Sequence, residues 1–179
     1  RILEALEKTG QSDNTIIIFL SDNGASSEDI VSRGYGDPTV PIGAKGSYAS
    51  FCEPWANVSN VPFREYKLRL YEGGIASPLL IHFSEKWAQK VGLEKGQIYH
   101  QPTHIMDIFP TMIDYAIGAE KIDSQMLMLD GIALSEVLGD GKIRPLFWEY
   151  RKSAAMRDGN YKLVRDRGAE WELYNLEND

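Results

Sequence analysis

The sequence predicts an α/β fold that runs into a small antiparallel sheet. Three observations carry that expectation. Thr15-Ile16-Ile17-Ile18-Phe19-Leu20 is a continuous apolar, largely β-branched run that breaks off into Ser21-Asp22-Asn23-Gly24, the pattern of a strand covered on both faces that delivers polar groups at its carboxyl end. Pro78-Leu79-Leu80-Ile81-His82-Phe83 repeats the buried-strand pattern directly after Glu72-Gly73-Gly74. Beyond residue 144, short runs alternate with turn residues, as hairpin-linked strands do.

Arg1 to Thr9 has apolar residues at helical spacing and Gly10 as its C-cap, which predicts a helix over 1–9 and then a strand over 15–20. Residues 25–66 contain Gly34, Gly36, Pro38, Pro41, Gly43, Gly46, Pro54 and Pro62 with little periodicity, and read as a long irregular excursion. Irregular stretches beyond about 12–15 residues are usually functional or disordered; Tyr35, Tyr48, Phe51 and Trp55 favour order. This loop is expected to wall a pocket. Trp55 or Tyr48 could offer a flat surface to an aryl group or sugar ring, but plain anchoring of the loop is the favoured role for both, and Arg64 is ambiguous. A strand over 78–83 follows, then a helix from His104 to Ile117 stopped by Gly118. Residues 119–144 read as a linker-like crossing with Asp130-Gly131 and Gly139-Asp140-Gly141. Strands are expected at Leu146–Tyr150, Ala154–Arg157, Tyr161–Arg165 and Trp171–Tyr174, with Arg157-Asp158-Gly159-Asn160 as a hairpin turn. The expected division is 1–118 for an α/β domain and 119–179 for the linker and a small antiparallel subdomain.

At 179 residues and 43% hydrophobic content the chain can bury a sizeable core. A net charge of −7 and the lack of any basic cluster interleaved with aromatics argue against a nucleic-acid partner. No stretch reads as a signal peptide or a membrane segment, and the single cysteine, Cys52, excludes an internal disulfide.

Asp22 and Asn23 offer one carboxylate and one amide oxygen, hard donors that suit Ca²⁺ or Mg²⁺ better than a softer metal. Taken alone, Asp-Asn-Gly is ordinary turn chemistry, and a plain strand-ending turn is favoured over a metal site. The second segment, Lys67-Leu68-Arg69-Leu70-Tyr71-Glu72-Gly73-Gly74, shifts the balance. Strand-Asp-Asn-Gly followed by Lys, four residues and Glu-Gly-Gly resembles the sulfatase family, the arylsulfatase-like branch of the alkaline-phosphatase superfamily. The resemblance continues through His104-Ile105-Met106-Asp107-Ile108-Phe109-Pro110-Thr111, Asp130-Gly131-Ile132-Ala133-Leu134, Met156 to Val164 and Glu172-Leu173-Tyr174-Asn175-Leu176. It covers essentially the whole chain.

The resemblance implies the carboxyl-terminal part of an alkaline-phosphatase-like (sulfatase) fold, with strands and helices of the large mixed sheet preceding the small antiparallel one. It implies hydrolysis of sulfate esters, with Asp22 and Asn23 as Ca²⁺ ligands, Lys67 as a sulfate clamp, and Glu72 as a residue that positions its turn. The family's formylglycine nucleophile arises from a Cys/Ser-x-Pro-x-Arg motif well before Asp-Asn-Gly. Cys52-Glu53-Pro54-Trp55-Ala56 comes after it and has Ala56 where arginine is required, so Cys52 reads as an ordinary thiol. The implied Asp-Asp pair, Lys-x-His pair and further histidine also belong upstream, whereas His82, His100 and His104 lie downstream, His104 reading as a helix-start residue. The chain is therefore expected to be the carboxyl-terminal portion of a longer enzyme, inactive alone, with the remainder of that enzyme and a small-molecule or glycan sulfate ester as partners. Family resemblance suggests export to periplasm, extracellular space or lysosome. The alternatives are a phosphatase or phosphodiesterase of the same superfamily, which an amide oxygen at Asn23 disfavours because zinc-using relatives prefer an imidazole there, or a non-catalytic carbohydrate- or calcium-binding module.

Overall fold

The computed structural model describes residues 1–118, 129–139 and 141–178. The chain forms two compact units that interleave along the sequence. One comprises Arg1–Phe19 and Leu80–Leu146, the other Leu20–Leu79 and Phe147–Asp179.

In the first unit, α1 (Ile2–Lys8) ends as its sequence requires. Gly10 takes φ +66°, and the Gly10 and Gln11 N–H groups close back on the carbonyls of Glu7 and Leu6 at 3.0 and 2.9 Å. Strand β1 (Ile17–Leu20) pairs with β2 (Leu79–His82) as a two-stranded sheet. The sequence predicts β1 to be covered on both faces, but Phe19 is 68% exposed and Leu80 61%; among the described residues no layer covers that side. Helix α4 (Glu85–Val91) was not expected; it runs from an extended Ser84 to Gly92 at φ +69°. A short 3₁₀ turn, Ile105–Asp107, leads into α5 (Ile108–Ile117), which stops at Gly118 as predicted. Pro110 is tolerated because it sits in the first turn, where no intrahelical N–H bond is lost. Tyr115 packs edge-on against Phe83 at 5.7 Å and tilted against Trp87 at 6.0 Å. A π-turn, Ser135–Gly139, places Val137 in the core beside buried Leu134. Of the linker-like crossing, residues 119–128 and Asp140 lie outside the described residues.

In the second unit, the excursion over 25–66 contains helix α2 (Cys52–Asn60). The helix escapes sequence reading because Pro54 looks like a breaker, yet it occupies the first turn, like Pro110 in α5. The Glu-Gly-Gly segment is a single helical turn, α3 (Glu72–Ile75). Strands β3 (Leu146–Tyr150), β4 (Ser153–Asp158), β5 (Tyr161–Arg165) and β6 (Glu172–Asn175) form one sheet in sequential order, close to the expected bounds. Gly159 at φ +56° makes the two-residue turn between β4 and β5, which sets Asp158 opposite Tyr161, Arg157 opposite Lys162 and Ala155 opposite Val164. Leu70, Tyr71, Ala155 and Val164 form the core here, with Ile75, Trp148 and Tyr174 packed around it. The segment over 70–75 is thus seated on the sheet by apolar burial.

Candidate functional site

Two loops of the second unit are laced together by main-chain hydrogen bonds. The Gly24 N–H donates to the Gly74 carbonyl at 3.0 Å, and the Lys67 N–H donates to the Ala25 carbonyl at 3.0 Å. Asn60, at the end of α2, adds a clasp: its Oδ1 accepts from the Ala25 N–H at 3.0 Å, and its Nδ2 donates to the Glu65 carbonyl at 3.0 Å. Ser77 Oγ donates to the Ser21 carbonyl at 2.7 Å. The approach is so close that a Cβ on Gly24 would lie 1.7 Å from the Gly73 carbonyl oxygen, so glycine is a steric requirement at that position. Gly73 and Gly74 are likewise closed in, by the carbonyl oxygens of Glu65 at 2.1 Å and Arg69 at 2.0 Å.

The laced loops carry all three sequence-predicted site residues. Asp22 is exposed, and its carboxylate makes no hydrogen bond or ion pair among the described residues. Asn23 donates its Nδ2 to the Gly24 carbonyl at 2.9 Å, which leaves Oδ1 available, and its own carbonyl accepts from Ser21 Oγ at 2.9 Å. A free carboxylate beside a free amide oxygen fits a hard divalent cation such as Ca²⁺. Among the described residues no group of three or more His, Cys, Asp or Glu side chains converges here, and two oxygen donors alone fall short of the roughly six to eight that Ca²⁺ takes.

Lys67 is partly exposed, and its Nζ lies 3.7 Å from Glu28 Oε2. Arg33 holds the other oxygen of Glu28 at 3.4 Å, and Ser26 Oγ donates at 3.3 Å to the same Oε2 that faces Lys67. Sequence reading missed Glu28 altogether. The Lys67 loop is conformationally costly: Glu65 and Leu68 sit at φ +69° and +78°, a region that costs a non-glycine residue about 1–2 kcal/mol. Such outliers gather at functional sites.

Glu72 is the anchor of this arrangement. Lys162 Nζ donates to its Oε1 at 2.5 Å and Arg157 Nη1 to its Oε2 at 3.1 Å. Lys162 is 1% exposed, and its ammonium lies 5.8 Å from the Trp148 ring centroid. Burial holds it below the usual lysine range, with Glu72 opposing that shift and Arg157 adding to it. Both cations lie in the Met156–Val164 stretch, for which sequence reading gave no role. Their signal was the hairpin turn, whose register sets positions 157 and 162 opposite each other.

The ambiguous Arg64 has a structural partner set. It lies 4.4 Å over the Tyr71 ring and donates to Glu172 at 2.9 Å and Tyr174 Oη at 2.6 Å. Glu172 also accepts from Tyr71 Oη at 2.7 Å and from Tyr174 Oη, and these hydroxyl hydrogen bonds keep its carboxyl below the usual range. Tyr48 brings its backbone and Cβ close to Gly36, where an added Cβ would meet the Tyr48 Cβ at 2.6 Å, and its side chain is largely exposed. Trp55 projects from α2 at 64% exposure. Cys52 starts α2 with its Sγ 3.8 Å from Ser50 Oγ, and Ala56, in the place of the expected arginine, is fully buried. His82 and His100 are exposed in the first unit. His104 opens the 3₁₀ turn, its Nδ1 accepting from the Met106 N–H at 3.2 Å, as expected for a helix-start residue.

The chain is similar to a crystal structure of Ps i-CgsB in complex with k-i-k-neocarrahexaose, with a TM-score of 0.68 at 24% identity over 99% of this chain and 33% of that one. It is 29% identical over 153 residues to the arylsulfatase of Klebsiella aerogenes, covering 76% of this chain and 31% of that protein. To the N-acetylgalactosamine-6-sulfatase of Homo sapiens it is 31% identical over 158 residues, covering 87% of this chain and 24% of that protein. The chain thus spans about a third or less of the length of these relatives. The family profile described as Sulfatase matches residues 1–119, and the chain belongs to the sulfatase family.

Proposed function

We propose that these residues form the carboxyl-terminal portion of a sulfuric ester hydrolase, supplying two oxygen ligands to a Ca²⁺ site and a lysine that clamps the sulfate. The observation that carries this reading is the lacing of Gly24 to Gly74 and of Lys67 to Ala25, each at 3.0 Å. It joins two uncommitted oxygen donors and a cation into one rigid pair of loops. The reading divides the chain at 118/119 into catalytic portion and linker with subdomain; the extent of the family match supports that boundary, whereas the compact units are cut elsewhere, the first running on to Leu146. It also takes in a small-molecule or glycan sulfate ester as substrate and the export that the family resemblance implies.

When bound, the cation would polarise a sulfate oxygen and favour an ionised nucleophile. Asp22 and Asn23 would hold one side of that site, and the reading requires its other ligands and the formylglycine nucleophile to be supplied from outside these residues. Lys67, whose ammonium faces Glu28 here, would turn it to an oxygen where charge grows as the ester bond breaks. Glu28, 3.7 Å away, restrains the lysine side chain without a close hydrogen bond, so the ammonium can turn to an anion at little cost.

The 179-residue chain alone is expected to leave an aryl sulfate unhydrolysed. Joined to its nucleophile-bearing sequence, Lys67→Ala should lower kcat by on the order of 10²–10³ with little change in melting temperature, the scale for losing one preorganised donor. Lys67→Arg should restore only part of the rate, because a planar guanidinium does not replace a compact ammonium. A near-normal kcat in Lys67→Ala, with Arg69→Ala impaired instead, would assign the clamp to the wrong residue.

A further inference from the structure

We propose that Arg157 and Lys162 are positioning residues for the Asp22-Asn23 loop, acting through Glu72 and the Gly73-Gly74 turn. The inference rests on the reading of that loop as the metal-binding one. Its physical basis is a chain of direct contacts within one unit. Arg157 and Lys162 face each other across the β4–β5 ladder, an arrangement that by itself costs stability because like charges stand directly opposite. A single carboxylate resolves it. Each oxygen of Glu72 takes one cation, at 2.5 Å from Lys162 and 3.1 Å from Arg157, and none of the three side chains is more than about a fifth exposed.

Glu72 is the first residue of α3, so fixing its side chain fixes the turn that follows. Two residues on, the Gly74 carbonyl accepts from the Gly24 N–H, and the Gly73 carbonyl leaves no space beside the Gly24 Cα. A shift of Glu72 that carries the Gly73-Gly74 backbone with it would therefore be felt at Gly24, next to Asn23. Apolar packing of Leu70, Tyr71 and Ile75 already seats the segment on the sheet. The ion cluster adds what apolar burial cannot supply, a directional constraint on one backbone position. Two cations against one anion also leave the cluster with one surplus positive charge behind a loop that is to carry anionic groups.

Amide exchange of the purified protein, read without metal, tests this. In Lys162→Met and in Glu72→Gln, protection of the Gly24 amide should fall at least tenfold, while the amides of the β4–β5 ladder change less than twofold. Arg157→Lys, which keeps a cation opposite Lys162, should retain Gly24 protection within about threefold. If Lys162→Met does not fold, Arg157→Met removes the other arm of the cluster and is read the same way. Unchanged Gly24 protection, or a fall shared equally with the ladder, overturns the proposal, the second outcome marking a purely structural ion cluster. Because metal is absent from this measurement, failure of the metal-ligand reading appears separately, as an unchanged calcium affinity in Asp22→Ala of the assembled enzyme.

Discussion

Glu72 in one unit and Asp107 in the other are both sequestered carboxylates, and they are held in different ways. Asp107, with no exposed surface, accepts from the His104 N–H at 2.8 Å, from the Ile132 N–H at 3.1 Å and from Arg144. Thr111 extends this network: its Oγ donates to the Asp107 carbonyl at 2.5 Å and accepts from the Leu134 N–H at 2.9 Å. Gly131 lies so near the Met106 carbonyl that a Cβ would come within 2.1 Å. The Ile132 and Leu134 N–H bonds tie that segment to the start of α5. Glu72 instead takes both its partners from one cross-strand pair and passes the constraint to a loop that ends in Asp22, whose carboxylate has no partner among the described residues. A fully satisfied network gives stability; one that leaves an oxygen uncommitted at its end prepares a site.

The largest effect should come from breaking the satisfied network. Asp107→Ala leaves Arg144, whose side chain is 18% exposed, without its carboxylate, and should cost about 3–5 kcal/mol by denaturant unfolding, the scale for stripping one partner from a buried pair. Amide protection over 105–117 should collapse with it. A loss below about 1 kcal/mol would show that Asp107 is no more important to stability than a surface carboxylate.

Gly24→Ala sharpens the other side of the comparison. Its Cβ would meet the Gly73 carbonyl at 1.7 Å, and backbone cannot rotate away as a side chain can. The expected cost is about 1–3 kcal/mol of overpacking, with the Asp22-Asn23 loop displaced in a crystal structure of the variant. A variant as stable as the parent, with the loop in place, would mean the two loops are not locked.

The smallest effect is a dependence on pH. Burial depresses the His104 imidazole below its usual range, with Arg144 adding to the shift and Asp107 opposing it. The unfolded chain therefore takes up a proton first, at about pH 6.5. This contribution to stability is complete above that pH and is lost as pH falls toward the lower folded-state pKa. His104→Asn, which keeps a side-chain acceptor for the Met106 N–H, should flatten the melting temperature between about pH 7 and 5. An unchanged slope would place the dependence on other groups.

The legible parts of the fold were those written in local pattern. The apolar runs at 15–20 and 78–83, the helix closed by Gly118 and the hairpin around Gly159 all formed close to where they were expected. Helix α2 escaped for a local reason, Pro54 mimicking a breaker although it lies in a first turn; α4, no shorter than the predicted α1, was also missed. The burial of β1 was overestimated because an apolar run reports what a strand can bury, whereas Phe19 shows what the described residues cover. Within the candidate site, Asp22, Asn23, Lys67 and Glu72 were visible because each stands in a short motif. Glu28, Arg157 and Lys162 were not, since their roles depend on partners brought together by tertiary structure, 85 and 90 residues away for the two cations on Glu72. The hairpin register would have set Arg157 beside Lys162, but nothing local names the carboxylate they share.

A crystal structure of the assembled enzyme grown with calcium and sulfate should show an ion with the Asp22 carboxylate and the Asn23 amide oxygen in its coordination shell at about 2.3–2.6 Å, and Lys67 Nζ within hydrogen-bond reach of a sulfate oxygen rather than turned to Glu28. An ion bound elsewhere, with Asp22 and Asn23 facing solvent and Lys67 still on Glu28, would contradict this reading.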